Sequence, residues 1–134
     1  AFERSGPERF LSTMVLLDAL VAALGPDAAA AARAPIGRLA AHLIVLRHMA
    51  RGMAALLAAG EDPALEAALV KDLGADFEQA IPDVARQLWP LLANPPPALS
   101  ATLAAAVQIA PMVSLRGGTR EILRGIIARG LGLR

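Results

Sequence analysis

The 134-residue sequence contains no cysteine and few aromatic residues, and both absences restrict what the protein can be. Without cysteine there is no disulfide framework, no thiol nucleophile and no thiolate metal site, which suits a cytoplasmic protein. Aromatic residues make up 3% of the chain, β-branched residues are scarce, and no segment shows the alternation expected of a strand. Alanine and leucine dominate instead, so the sequence predicts an all-helical fold.

Charge is nearly balanced, with 13 basic and 12 acidic residues. Because no basic stripe is interleaved with aromatic side chains, nucleic acid is not an expected partner. The stretch between Arg86 and Arg116 carries no charge, but prolines interrupt it and leave a continuous helix only over about residues 98–110. A helix needs roughly 20 apolar residues to cross a bilayer, so no membrane span is predicted.

Apolar residues recur at helical spacing in five segments. The segments run from Phe10 to Leu24, from Asp27 to Gly60, from Pro63 to Ile81, over about residues 98–110, and from Thr119 to the end of the chain. A further short piece is expected from about Asp83 to Leu92, after Pro82. Pro35 is expected to kink or divide the second helix, and Pro82 to bend or break the third. We predict one domain, residues 1–134, folded as an up-and-down four-helix bundle with a short closing C-terminal helix.

Most of the chain lacks a recognisable catalytic or metal-binding motif. There is no P-loop, nucleophile elbow or dinucleotide fingerprint. His42 and His48 are six residues apart and face different sides of a helix, so no metal site is predicted. Asp72 and Asp76 are four apart on one helical face, a spacing at which like charges are expected to be exposed.

The closing segment, residues 116–134, is the most informative part of the sequence. Gly117 and Gly118 allow backbone angles that other residues avoid, and a close approach to a bound group. Thr119 is a candidate N-cap, and Glu121 lies in the first turn, where the helix dipole favours an anion. From spacing alone, the segment is a capped amphipathic helix.

Three segments carry a resemblance to a known family: Ala1–Pro7 (AFERSGP), Val70–Gln79 (VKDLGADFEQ) and Arg116–Arg134 (RGGTREILRGIIARGLGLR). In these segments the chain resembles the C-terminal domain of acyl-CoA dehydrogenases of a bacterial branch. Those flavoenzymes have an N-terminal helical domain, a middle β-domain and a C-terminal helical bundle. The resemblance therefore implies that this chain is the last domain of a longer three-domain enzyme, which agrees with its start lacking an initiator methionine.

The resemblance implies the α,β-dehydrogenation of acyl-CoA thioesters, in which a carboxylate removes the α-proton and the β-hydride passes to N5 of FAD. In many members the base precedes the Gly-Thr of the closing turn, where this chain has Gly117. Other members place it before an arginine on the first helix of the bundle, matching Glu3 and Arg4. Glu3 is thus implied as the catalytic base, with Arg4 and Gly117 at the substrate site. The alternative is a solvated Glu3 that pairs with a nearby arginine.

Gly118, Thr119, Arg120 and Glu121 match family positions that contact FAD. The motif that many members use to hold the cofactor's phosphates has no counterpart between residues 24 and 42, so we expect the isolated segment to lose FAD and to be inactive. The partners implied are an acyl-CoA substrate, an electron-transfer acceptor, the protein's own N-terminal and β-domains, and further copies in a homodimer or homotetramer.

A second hypothesis is a non-catalytic helical interaction module that keeps the bundle but binds no flavin. The high alanine content fits either hypothesis, because small side chains bury little area apiece and leave the bundle dependent on a neighbouring surface. A peripheral membrane helix is disfavoured because the sequence has no lysine-rich amphipathic face.

Overall fold

A computed structural model describes residues 10–25 and 29–133 of the chain. Within these ranges there are five α-helices, one 3-10 turn and no strand. The elements are α1 (Met14–Ala23), α2 (Ala29–Ala58), α3 (Ala64–Leu88) with the 3-10 turn Trp89–Leu91 at its end, α4 (Pro97–Val113) and α5 (Arg120–Gly130). The predicted all-helical bundle with a short closing helix is confirmed.

The central helix is α3, which packs against each of the other four α-helices. Phe77 is fully buried in its middle, and the rings of Phe10 and His42 meet it edge-on at centroid separations of 6.4 and 5.4 Å. Edge-to-face aromatic pairs contribute about 0.5–1.5 kcal/mol beyond the area that they bury. Phe77 therefore joins α2 and the approach to α1 to one core.

Two prolines that were predicted to interrupt helices lie inside continuous ones. Pro35 is within α2 and Pro82 is within α3, and both side chains are buried. Each proline removes one backbone hydrogen bond, but contacts of its buried ring with the core offset this local cost. Of the alternatives, division of the second helix at Pro35 and a break of the third at Pro82 are excluded, whereas a kink or bend at these positions stays a prediction. The fourth helix also continues past its predicted end at residue 110, through Pro111 to Val113.

Close backbone approaches fix how the two ends of the described chain dock on α3. A Cβ added at Gly74 would lie 2.8 Å from the Cβ of Phe10, which packs directly on the helix. At the other end of α3, a Cβ added at Gly130 of α5 would lie 2.9 Å from Cδ1 of Leu65. At such separations one of the atoms must shift. The end of the Leu65 side chain can rotate away, whereas Cβ of Phe10 cannot, so the contact at Gly74 is the one that depends on glycine.

The side of α2 turned away from α3 is basic and open. We call Arg33, Arg47 and Arg51, with Ile44 among them, the outer face of α2. All four side chains are exposed. At 1.5 Å per residue the 30-residue helix is about 45 Å long. Among the described residues, no helix combines the length and apolar character needed to cross a membrane.

Candidate functional site

The loop from α4 to α5 turns at two glycines. Gly117 has a φ of 80° and Gly118 a φ of 118°, values that side chains other than glycine rarely adopt. Thr119 follows with extended backbone and is the N-cap residue of α5. The predicted glycine-dependent turn and the predicted N-cap position are confirmed. We call Gly117, Gly118 and Thr119 the glycine corner.

The first turn of α5 is organised around Glu121, whose side chain is exposed. The pKa of Glu121 lies below its ordinary value because its own backbone N–H and then the Thr119 hydroxyl donate hydrogen bonds to the carboxylate. Arg124 and Arg120 lower it further by their charge. The Thr119 hydroxyl does not cap a backbone N–H of α5.

Arg120, directly after the corner, pairs with two carboxylates of α3. Its Nε lies 3.0 Å from Oδ1 of Asp72, and its Nη2 lies 2.6 Å from Oδ1 of Asp76. The hydrogen bond with Asp76 is the largest cause that raises the pKa of Arg120 above its usual value. Arg124 adds a longer contact, with its Nε 3.5 Å from Oδ2 of Asp72.

The expectation that Asp72 and Asp76 are simply exposed is wrong. Asp72 is buried, and both carboxylates bind α5. The sequence carried a signal that was missed, because acids four residues apart in one helix match Arg120 and Arg124, which are four apart in another. Pairing with arginines of α5 offsets the repulsion between Asp72 and Asp76.

A third acid of α3, Glu78, is the most buried charged side chain in the described ranges, with 1% of its surface exposed. The backbone N–H of Ser12 donates to its Oε1 at 2.9 Å, and the Ser12 hydroxyl donates to the same oxygen. From the other side, Nη2 of Arg116 lies 3.1 Å from Oε2 of Glu78 and 3.0 Å from the Ser12 hydroxyl oxygen. We call Ser12, Glu78 and Arg116 the Glu78 junction.

An apolar groove of about 490 Å³ borders the Glu78 junction. Its lining residues are Ser12, Ile109, Met112, Val113, Leu115 and Arg116. Met112 and Leu115 are each 65% exposed, so apolar side chains are accessible along the groove. The groove thus offers a hydrocarbon wall with one guanidinium at its edge, an arrangement suited to an apolar chain that ends near an anionic or carbonyl group.

The predicted base and its neighbour, Glu3 and Arg4, lie outside the described residues. The described chain begins at Phe10, and Ser12 is hydrogen-bonded to Arg116, which directly precedes Gly117. Ser12 therefore lies beside the residue that precedes the glycine corner. The roles of Glu3, Arg4 and Gly117 in catalysis and substrate binding stay predictions.

The histidines have structural contacts. His42 packs against Phe77, and Nδ1 of His48 lies 2.9 Å from the carbonyl oxygen of Ile44. Across the part of the chain that the structure describes, no three histidine, aspartate or glutamate side chains are grouped so that they could hold a metal ion.

Residues 27–132 match the family model for the acyl-CoA dehydrogenase C-terminal domain. The chain belongs to this family. The matched range contains α2 to α5, the acids of α3 and the glycine corner of this acyl-CoA dehydrogenase domain, whereas Glu3 and Arg4 precede it. No curated protein and no solved structure gave a match.

FAD, the cofactor implied by the family, fits the corner of this acyl-CoA dehydrogenase domain in part. Gly117 and Gly118 carry no side chain, so a planar ring can approach the backbone there. Thr119 and Glu121 are at the accessible start of α5. Arg120 fits less well, because Asp72 and Asp76 already balance its charge. FAD is therefore matched by the backbone of the glycine corner more than by the charge of Arg120.

Proposed function

We propose that this chain is the C-terminal helical domain of an FAD-dependent acyl-CoA dehydrogenase of the bacterial branch, forming one wall of the flavin and acyl-CoA site and part of a subunit interface. The observation that carries this proposal is the Glu78 junction. It ties Ser12, which precedes α1, to Arg116, which directly precedes the glycine corner, and this contact supports a site that uses both parts of the chain.

In this proposal Glu3 removes the α-proton of the acyl-CoA thioester. A carboxylate becomes an effective base when a dry pocket raises its pKa toward the working pH, and the bordering apolar groove provides hydrocarbon surface for such a pocket. Arg4 orients the substrate, and Gly117 leaves room for it because no side chain projects there. FAD, if held at the glycine corner, would supply the acceptor for the hydride that leaves the β-carbon of the substrate.

The residues proposed to contact FAD are Gly118, Thr119, Arg120 and Glu121. The first two present backbone at a turn, where N–H groups at a helix start suit an anionic or carbonyl oxygen of the cofactor. Asp72 and Asp76 hold Arg120 in place and balance its positive charge. Arg120 would therefore contribute a fixed hydrogen-bond donor to the cofactor and little net charge.

The proposed interfaces use apolar and basic surface that the bundle does not bury. Ile109, Met112 and Leu115 are exposed along the groove, and the outer face of α2 is open along its length. Exposed apolar patches of this kind mark contacts with other domains or subunits. We assign them to the protein's own N-terminal and β-domains and to further copies in a dimer or tetramer, in a cytoplasmic enzyme that passes electrons to an acceptor.

The test uses the protein expressed from its complete coding region. We expect a yellow protein whose flavin absorbance is bleached by acyl-CoA without oxygen, and which reduces an artificial electron acceptor. Glu3→Gln should abolish the bleaching while the flavin stays bound, because the amide does not accept the α-proton. Glu8→Gln, the same change five residues later, is the matched control and should bleach like the unaltered protein.

One observation favours the alternative, a non-catalytic helical interaction module. The Arg120 guanidinium contacts two carboxylates of its own chain, Asp72 and Asp76, and this pairing would be sufficient reason for an arginine after the corner. A colourless complete protein that acyl-CoA does not reduce would support this module. Unchanged bleaching in Glu3→Gln would instead leave the enzyme in place and remove Glu3 as its base.

A further inference from the structure

The glycine corner has little side chain with which to hold its own position. Gly117 is exposed, and both Gly117 and Gly118 have positive φ values. Glycine has more conformational freedom than any other residue, so two in succession leave the local backbone weakly determined. Contacts of the flanking residues must therefore decide where the corner backbone lies.

The chain is attached to α3 directly before the corner. Nζ of the buried Lys71 donates to the backbone carbonyl oxygen of Val113, the last residue of α4, at 3.1 Å. Three residues later, Nη2 of Arg116 lies 3.1 Å from Oε2 of Glu78. Two side chains of one helix therefore fix the backbone on the upstream side of the corner.

The downstream side of the corner depends mainly on Asp72. Each of its carboxylate oxygens meets one arginine of α5, with Nε of Arg120 3.0 Å from Oδ1 and Nε of Arg124 3.5 Å from Oδ2. Because these arginines are about one helical turn apart, a single carboxylate restrains both the position and the rotation of the first turn of α5. Asp76 adds a contact to Arg120, but its side chain is 44% exposed, compared with 12% for Asp72.

Apolar packing of α5 is limited and is itself connected to the corner. Leu123 is the buried side chain of this helix. A Cβ added at Gly118 would lie 3.6 Å from Cδ2 of Leu123, so the two residues are in contact range across the start of the helix. A rotation of α5 would therefore move Leu123 and the glycine corner together.

We propose that Asp72 is a positioning residue for FAD, which keeps the glycine corner in its binding conformation by holding Arg120 and Arg124. This inference rests on the proposed function. A segment that is ordered before its ligand arrives binds more tightly, because less conformational freedom is lost on binding. Asp72 therefore acts on the cofactor through the first turn of α5.

Positioning and simple charge balance predict opposite results when Asp72 loses its charge. If the carboxylate only neutralised Arg120, Asp72→Asn would leave more positive charge beside the corner, and the anionic phosphates of FAD would bind more tightly. If Asp72 positions the corner, the same change releases the first turn of α5 and FAD binds more weakly. The direction of the change in FAD affinity therefore separates the two roles.

The test is Asp72→Asn in the complete protein, with FAD as the ligand. We expect the dissociation constant of FAD to rise about tenfold, and amide hydrogen exchange at residues 117–121 of the flavin-free protein to become faster. Gly74→Ala is the control, because it disturbs packing against Phe10 on the same helix but leaves the Asp72 contacts in place. It should also lower the free energy of unfolding, without changing FAD affinity or exchange at the corner.

A milder variant decides the result if Asp72→Asn does not fold. Asp76→Asn removes the contact with Nη2 of Arg120 and keeps the contact with Asp72, so we expect the dissociation constant of FAD to rise about two- to threefold. Unchanged or tighter FAD binding in the variant that folds overturns the positioning role and leaves the proposed function standing. A complete protein that binds no FAD overturns the proposed function, and the role of Asp72 with it.

Discussion

The two longest helices, α2 with 30 residues and α3 with 25, have opposite surroundings. The latter packs against every other described helix and carries five acids, Glu66, Asp72, Asp76, Glu78 and Asp83. By contrast, the close backbone contacts of α2 within the described part of the chain are with α3, and α2 carries four arginines and no acid.

This contrast shows that α3, and not α2, supplies the charged contacts that orient the closing segment. Acids of α3 bind Arg116 and Arg120, one on each side of the glycine corner. Within the described ranges, the arginines of α2 have no carboxylate oxygen within 4.0 Å. We therefore expect changes on α3 to alter stability and the corner, and changes on the outer face of α2 to alter neither.

Removing the central aromatic side chain should have the largest effect. Phe77→Ala leaves a cavity at the meeting point of α1, α2 and α3, and we expect a loss of about 3–5 kcal/mol in the free energy of unfolding. Leu57→Ala, on α2 and 46% exposed, should cost less than about 1 kcal/mol. Urea denaturation measures both changes, and equal losses would contradict the contrast between the helices.

Glycine-to-alanine changes should differ in sign between the two helices. At Gly74 an added Cβ meets Phe10, and we expect Gly74→Ala to lower the free energy of unfolding by about 1–3 kcal/mol. At Gly37 of α2 there is no atom within 4 Å of the added Cβ, so Gly37→Ala should raise it by about 0.5–1 kcal/mol through helix propensity. Thermal unfolding of the two variants would show midpoints shifted in opposite directions.

Two acids of α3 test whether burial determines how much an ion pair contributes to the free energy of unfolding. Asp72 is buried and contacts Arg120 and Arg124, so we expect Asp72→Asn to cost about 1–3 kcal/mol. Asp83 and Arg86 form a short but exposed pair, with side chains 66% and 59% exposed, and Asp83→Asn should cost less than about 1 kcal/mol. Denaturation at low and high salt would check this, because only the exposed pair should be strongly screened.

Local chemistry made much of the fold predictable. Helical periodicity gave the five helices, and the paired glycines before Thr119 gave the turn that opens α5. The helices continue through Pro35 and Pro82 for one physical reason. Proline lowers the propensity of an isolated helix, but burial of its ring in a packed core is a tertiary effect that the local pattern does not contain.

The polar contacts of the site were not predictable in the same way. Ser12 and Glu78 are 66 residues apart in sequence, and Asp72 and Arg120 are 48 apart. A single sequence shows which residues are acidic and basic but not which of them meet, so Asp72 was assigned to the surface and Glu78 received no role. The resemblance located the glycine corner and named Glu3 and Arg4, whose roles stay predictions.

The smallest effects are expected on the outer face of α2. Arg47 and Arg51 are four residues apart, a spacing at which like charges repel, so Arg47→Gln should leave the free energy of unfolding unchanged or raise it by about 0.2–0.5 kcal/mol. Arg120→Gln, the same change on α5, should lower it because two carboxylates of α3 lose their partner. Salt should remove any gain from Arg47→Gln, since screening weakens the repulsion in the unaltered protein. A clear loss of stability in Arg47→Gln would mean that this arginine has a partner that helps to hold the fold, and the outer face would no longer count as open surface.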